Sequence, residues 1–150
     1  FFNSGWPWVW RTLKNILIFA SIMSQHNEIG KIGEEIAKRF LKKQGYKIIE
    51  QNYKTKYAEI DLVARKEKEL VFIEVRTKKG ENFGTPEETI NKIKMRKLRG
   101  NAMAYAAIKK WSGSFRIDAV CIVLSAQGGP ASGGKPIYTV ERLNHYESIV

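Results

Sequence analysis

Apolar side chains recur at Ile29, Ile32, Ile36, Phe40 and Leu41, with Ala37 beside them, the spacing of one helix face. Gly45 follows where a helix stop is expected. Tyr46 to Tyr53 then reads as a strand with Lys47, Glu50 and Gln51 exposed. Glu59–Ala64 and Leu70–Thr77 are two apolar-rich strands separated by the charged stretch Arg65-Lys-Glu-Lys-Glu69, a hairpin pattern. Gly80 to Gly84 is a loop. Thr85-Pro86-Glu87-Glu88 places a capping Thr, a first-turn Pro and a following Glu, and predicts the opening of a long helix toward Lys110. Phe115 to Leu124 is a strand of buried character, Ser125 to Pro136 a Gly-rich loop, and Ile137 to Leu143 a last strand. The predicted order is αβββαββ.

The segment before Met23 departs from this pattern. Phe1 to Met23 holds three of the four Trp and the apolar run Ile16 to Met23. Arg11 and Lys14 precede that run, but no small-x-small cleavage site follows, so a signal peptide is not supported. Arg11, Thr12, Lys14 and Asn15 also interrupt the ~18 apolar residues that a membrane span needs. Residues 1–23 are read as an extension outside the fold, with Met23 as the start and residues 24–150 as the domain. The alternative is an interfacial anchor, since Trp, Lys and Arg beside an apolar helix suit a membrane surface. A cytoplasmic protein without membrane association is the favoured reading.

Chemistry concentrates in the hairpin. Side chains alternate along a strand, so Glu59, Asp61 and Val63 are expected on one face, as are Phe72, Glu74 and Arg76. If Val63 pairs with Phe72 around a turn of about six residues, Asp61 lies opposite Glu74 and Glu59 opposite Arg76. Two carboxylates facing across a strand pair repel, and their flanks are apolar enough to mark inner strands. Something positive must sit between them. A hard divalent cation is one candidate, because magnesium takes carboxylate, water and phosphate oxygens. Arg76 points the same way and would clamp a phosphate. The alternative is a solvated face on which Arg76 pairs with both acids.

Composition narrows the classes. A chain of 150 residues suits one domain and buries roughly 70% of its unfolded surface. Cys121 is the only cysteine, which excludes a disulfide scaffold, and with two histidines it also excludes the usual structural zinc sets. The 26 Lys and Arg outnumber the 15 Asp and Glu by 11. Residues 24–110 carry 21 basic and 12 acidic groups, a net of +9, so the excess sits beside most of the acids. A polyanion fits that distribution, DNA first with RNA as the alternative. Solubility alone is the competing explanation.

These residues carry a resemblance. Asp61-x12-Glu74-x-Arg76 resembles the PD-(D/E)xK nuclease signature, without the Pro and with Arg for Lys. A longer pattern is more specific. Gly30-x-x-Gly33-Glu34-x-x-Ala37, Gly45-Tyr46, Asn52-Tyr53, Glu59-Ile-Asp-Leu62, Val71-Phe-Ile-Glu-Val75, Phe83-Gly84-x-Pro86, Lys94-x-x-x-Leu98 and Arg116-Ile-Asp118 follow the order of the YraN family. That family comprises uncharacterised, endonuclease-like bacterial proteins similar to archaeal Holliday-junction resolvases, and the resemblance covers residues 26–146. It implies a restriction-endonuclease-like α/β core, a mixed central sheet flanked by helices, and magnesium- or manganese-dependent hydrolysis of DNA phosphodiesters, branched or single-stranded. Position by position it implies Asp61 and Glu74 as metal ligands and Glu34 as an accessory ligand from the first helix. Glu59 would hold a water or pair with Arg76, and Arg76 would stand in the place of the catalytic Lys. Lys94 would face phosphate, with Lys78, Arg96, Lys97 and Arg99 beside it as nucleic-acid contacts. By analogy with resolvases it implies a homodimer.

Two departures matter. Ala58 stands where Gly usually precedes Glu-Ile-Asp, and Arg76 cannot serve as a general base because it stays charged. A nucleic-acid-binding module with weak or lost catalysis is therefore the alternative function. Other features are set aside. Gly129 to Lys135 nearly matches a phosphate loop but ends in Pro136, without the magnesium-binding hydroxyl. Cys121 is expected as a buried small hydrophobe. His26 and His145 are expected at the surface, before the first helix and after the last strand. Asp118 is expected in a structural hydrogen-bonding role, and Met103 and Tyr105 in the packing stripe of the long helix.

Overall fold

The computed structural model describes residues 7–128 and 136–150, with side chains from residue 24 onward. Its elements are α1 (Pro7–Lys43), β1 (Lys47–Lys54), β2 (Glu59–Lys66), β3 (Glu69–Lys79), α2 (Lys92–Ile108), β4 (Phe115–Gln127) and β5 (Ile137–Tyr146). The expected αβββαββ order is borne out. One five-stranded sheet runs β1-β2-β3-β4-β5. Its first three strands form an antiparallel meander, α2 crosses over to a parallel β4, and β5 returns antiparallel. The fold is a restriction-endonuclease-like α/β core with a helix on each face. The phosphate-loop look-alike at residues 129–135 lies outside the described residues.

Helix α1 contains His26, which was expected ahead of it. Residues 24–28 are exposed, and packing on the sheet begins at Ile29. The helix ends where glycine permits. Gly45 has φ +87°, its N–H bonds the Lys42 carbonyl at 3.1 Å, and the Tyr46 N–H bonds that of Leu41 at 3.0 Å. Leu41 and Tyr46 are both buried in the same cluster, completing a Schellman stop. The β2–β3 turn is tighter than expected. Lys66 pairs with Glu69, leaving two residues, and Glu67 takes φ +53°.

The long helix starts later than expected. Glu87–Thr89 is a separate 3-10 turn, Ile90 is extended, and Asn91 caps α2 by accepting from the Lys94 N–H at 2.8 Å. The chain therefore carries two successive start signals. The Glu88 carboxylate does reach back to the Thr85 N–H, at 3.2 Å, but this closes only the short turn.

Each face of the sheet has its own core. Leu41, Leu62, Ile73, Val75, Val120 and Ile122 lie beneath α1, and Ile60, Phe72, Leu98, Tyr105 and Ile117 beneath α2. Phe72 sets its ring edge-to-face against Tyr105 and Phe115 at 5.5 and 5.7 Å. Tyr105 belongs to the packing stripe as expected, whereas Met103 is 55% exposed. Met103 sits about 100° around the helix from Ala102, off the Met95-Leu98-Ala102-Tyr105 line. Cys121 is fully buried, which pushes its thiol up to about 12 and leaves it unreactive.

Candidate metal-binding and active site

The β2–β3 ladder has the expected register, Val63 opposite Phe72, but it stops at Leu62 and Ile73. Beyond that point strict alternation fails. Leu62 packs in the cluster beneath α1 and Ile60, two residues away, in the cluster beneath α2. At the break, Asp61 Oδ2 accepts a 2.7 Å hydrogen bond from the Val75 backbone N–H. A side-chain oxygen thus stands where a ladder carbonyl would, and it holds the half-buried Asp61 carboxylate at the fork of the strands.

Glu74 is 1% exposed. Its Oε1 receives Arg76 Nη2 at 2.9 Å and Lys94 Nζ at 2.5 Å. Its Oε2 is buried and has no hydrogen-bond partner among the described residues. A buried carboxylate oxygen left without a donor is costly, and such an atom calls for an explanation. Burial pushes the Asp61 carboxyl well above its ordinary range, and the Glu74 charge adds to the effect. The Val75 N–H opposes it, while Glu34 adds further. Burial also raises Glu74, with Arg76 working against the rise and Glu59 with it. The pair is therefore poised to hold a proton or a cation.

Glu34 comes from the opposite helix. Gly33 makes this approach feasible, because a Cβ there would lie 1.8 Å from Thr77 Oγ1 on β3. With no side chain at 33, α1 lies directly on β3 and Glu34 stands near enough to Asp61 to raise it. Asn52 Nδ2 donates to Glu34 Oε2 at 2.9 Å from a left-handed backbone position, φ +50°, which asparagine tolerates. Three acids from α1, β2 and β3 thus converge.

The remaining sequence candidates divide. Glu59 is exposed and pairs with Lys54 at 3.4 Å, on the β1 side, while Arg76 pairs with Glu74. Lys94 faces the sheet and is the residue whose neighbour sequence reasoning missed. It lies in the first turn of the crossover helix, and that helix packs back over β3. Arg96, Lys97 and Arg99 are exposed on α2. Lys78 Nζ is engaged by the carbonyls of Phe83 and Gly84 at 2.9 and 3.1 Å, so it ties a loop. Ala58 is half-buried, and its carbonyl accepts from Asn101 Nδ2 at 2.9 Å, anchoring the β1–β2 turn to α2.

Asp118 belongs elsewhere. It is fully buried and accepts from Arg116 Nε at 3.0 Å and from the Ser148 N–H at 3.0 Å, with His145 Nε2 at 2.9 Å. Burial opposes its ionisation, but the bonds from His145, Arg116 and Ser148 win and hold its carboxyl below the ordinary value. This is the structural role expected of it. His145 is not the surface residue expected. It lies within β5, opposite Val120, and stacks edge-on against Phe40 and Tyr46. Asp118, His145 and Glu147 come within 4.8 Å of one another, yet Arg116 already supplies the positive charge there, 3.0 Å from Asp118 and 3.5 Å from Glu147. Among the described residues no helix is long and apolar enough to cross a membrane.

Residues 33–122 match the uncharacterised protein family UPF0102. The chain is 40% identical over 119 residues to a UPF0102 protein of Thermotoga maritima, spanning 79% of this chain and 94% of that one. It is 38% identical over 104 residues to one from Dictyoglomus thermophilum, 69% and 88% of the two chains. To one from Syntrophomonas wolfei it is 44% identical over 80 residues, 53% and 70%.

Proposed function

The chain belongs to the uncharacterised protein family UPF0102, the YraN family that its motifs resemble, and from that premise we propose that it is a metal-dependent nuclease hydrolysing DNA phosphodiester bonds. The observation that carries the proposal is the convergence at the strand fork. Asp61 and Glu74 meet there with Glu74 Oε2 unpaired among the described residues, while Arg76 and Lys94 take the other oxygen. An all-oxygen donor set of this kind fits magnesium or manganese. Asp61 and Glu74 would hold the ion, with Glu34 as the third carboxylate. A bound divalent cation would lower the pKa of a water and offset charge on the scissile phosphate.

The chain's own residues supply the rest. Val75 N–H holds Asp61 in place, and Asn52 holds Glu34, so two of the three carboxylates are oriented before any ligand arrives. Arg76 and Lys94 set two positive charges within 3 Å of Glu74 Oε1. Fixed charges at such a place stabilise the charge that develops on a phosphoryl group in the transition state. Lys94 brings from α2 a lysine that the β3 motif itself lacks. The exposed Arg96, Lys97 and Arg99 would contact the backbone of the DNA.

The test is cleavage of labelled single-stranded, duplex and four-way-junction DNA in one panel with magnesium or manganese, using EDTA and Asp61→Ala as controls. Cutting that needs both the metal and Asp61 is expected. Binding without cutting on every substrate would overturn hydrolysis in favour of a nucleic-acid-binding module. Arg76 is the observation that favours this second reading, since an arginine cannot take the proton of an attacking water. Cutting that appears only with Arg76→Lys would decide for it.

A further inference from the structure

The loop after β3 is tied down on several sides and yet holds an aromatic ring out in water. Gly80 N–H bonds the Leu124 carbonyl at 2.9 Å, and Gly84 N–H bonds that of Glu81 at 3.1 Å. Lys78 Nζ grips the Phe83 and Gly84 carbonyls, and Arg142 of β5 pairs with Glu81. Gly84 takes φ +87° inside this clamp. Phe83 is nonetheless 94% exposed, more than any other large hydrophobic residue among those described. A loop held this firmly has not simply failed to fold its aromatic inward. Its bonds fix the backbone that carries the ring.

Beside the ring lies a groove of about 450 Å3. His26 and Ile29 of α1, Thr77 and Lys79 of β3 and Tyr138 of β5 line it, and among the described residues no carboxylate does. Ile29 is about one turn of α1 from the Gly33 contact that sets Glu34 at the site. Thr77 is three residues along β3 from Glu74, or about 10 Å. An aromatic flanked by lysine beside a groove free of carboxylates is an arrangement that binds a nucleic-acid strand by stacking and charge. A protein partner that buried Phe83 would gain little from Lys79, which a polyanion satisfies.

We propose that Phe83 is a stacking platform for an unpaired base and that the groove carries one strand toward Asp61 and Glu74, so that the substrate is single-stranded or flapped DNA. A base inside a duplex already has a neighbour on both faces. Away from a duplex end, only an unpaired base offers a free face to the ring. The identity of the strand as substrate rests on the nuclease reading, whereas the binding platform is tested without any cleavage.

The experiment is equilibrium binding by fluorescence anisotropy, in EDTA, of a labelled single-stranded oligonucleotide and of the same sequence as a blunt duplex. Phe83→Ala, Phe83→Trp and Lys79→Gln are compared with the unaltered chain, and thermal unfolding confirms that each variant is folded. Phe83→Ala is expected to weaken single-strand binding on the order of tenfold and to leave duplex binding nearly unchanged, with Phe83→Trp restoring affinity. Lys79→Gln is expected to reduce the salt dependence of single-strand binding. Single-strand affinity unchanged by Phe83→Ala, or an equal loss on duplex, would overturn the platform. The two readings fail separately. Binding through Phe83 by a chain that cuts nothing overturns hydrolysis alone, and Asp61-dependent cutting with unaltered Phe83→Ala binding overturns the platform alone.

Discussion

Asp61 and Glu74 are acids whose folded state prefers the proton. Burial lifts both carboxyls above their unfolded values, so the folded chain binds more protons than the unfolded one across the window between. Stability contributed by the pair is then present at low pH and is lost as pH rises from about 4 through the raised values. The prediction is that, in EDTA, Asp61→Asn becomes stabilising relative to the unaltered chain as pH rises from about 5 to 8. Urea midpoints at the two values check it, and a difference independent of pH would be against it. Magnesium at pH 8 is expected to raise the Tm of the unaltered chain and not that of Asp61→Asn, because a ligand that binds only the folded state stabilises it. The acids and their order were legible as residue types. Their hydrogen bonds were not, since Val75 N–H lies 14 residues from Asp61 and Asn52 lies 18 from Glu34.

Elements divide in the same way. The strands and both helices follow from local patterns, and β2–β3 takes the register that apolar matching predicts. The departure of β2 from β3 at Asp61 does not follow, because only the pairing with β3 ends there while β2 stays paired with β1 through Glu59, and local spacing does not say which partner a strand keeps. Nor did Thr85-Pro86-Glu87-Glu88 reveal that its turn closes at Thr89, since the rival cap at Asn91 wins once α2 is laid across the sheet. Gly33 is the sharpest element-scale contact. Gly33→Ala would force a Cβ against Thr77 Oγ1, and separating α1 from β3 is expected to cost about 1–3 kcal/mol. Denaturant unfolding measures this. Thr77→Ala should relieve part of the loss, so the double variant is expected to be less destabilised than the sum of the singles. Additive losses would mean that the two residues do not touch.

Across the whole molecule, the net charge of +11 predicts that affinity for DNA falls as salt rises. Charge by itself does not say which side meets the strand. The fold answers in part, by turning Lys94 inward to Glu74 and leaving Arg96, Lys97 and Arg99 on the open face of α2. Replacing those three with Gln is expected to flatten the slope of log K against log salt by about 2 on single strands, at roughly 0.7 per phosphate contact. An unchanged slope would move the interface elsewhere.

The chain by itself determined the order of the elements, the two apolar faces of the sheet, the family and the acidic residues of the hairpin. All of these rest on local spacing, which backbone geometry enforces over a few residues. Only the tertiary structure decided that Lys94 reaches Glu74, that Asn52 orients Glu34, that His145 belongs to a network around the buried Asp118, and that the loop carrying Phe83 is tied down with its ring in water. Each of those depends on where a helix lands after a loop. That landing is set by close approach, such as the missing side chain at Gly33, and by buried charges finding partners, which no pattern along one strand encodes.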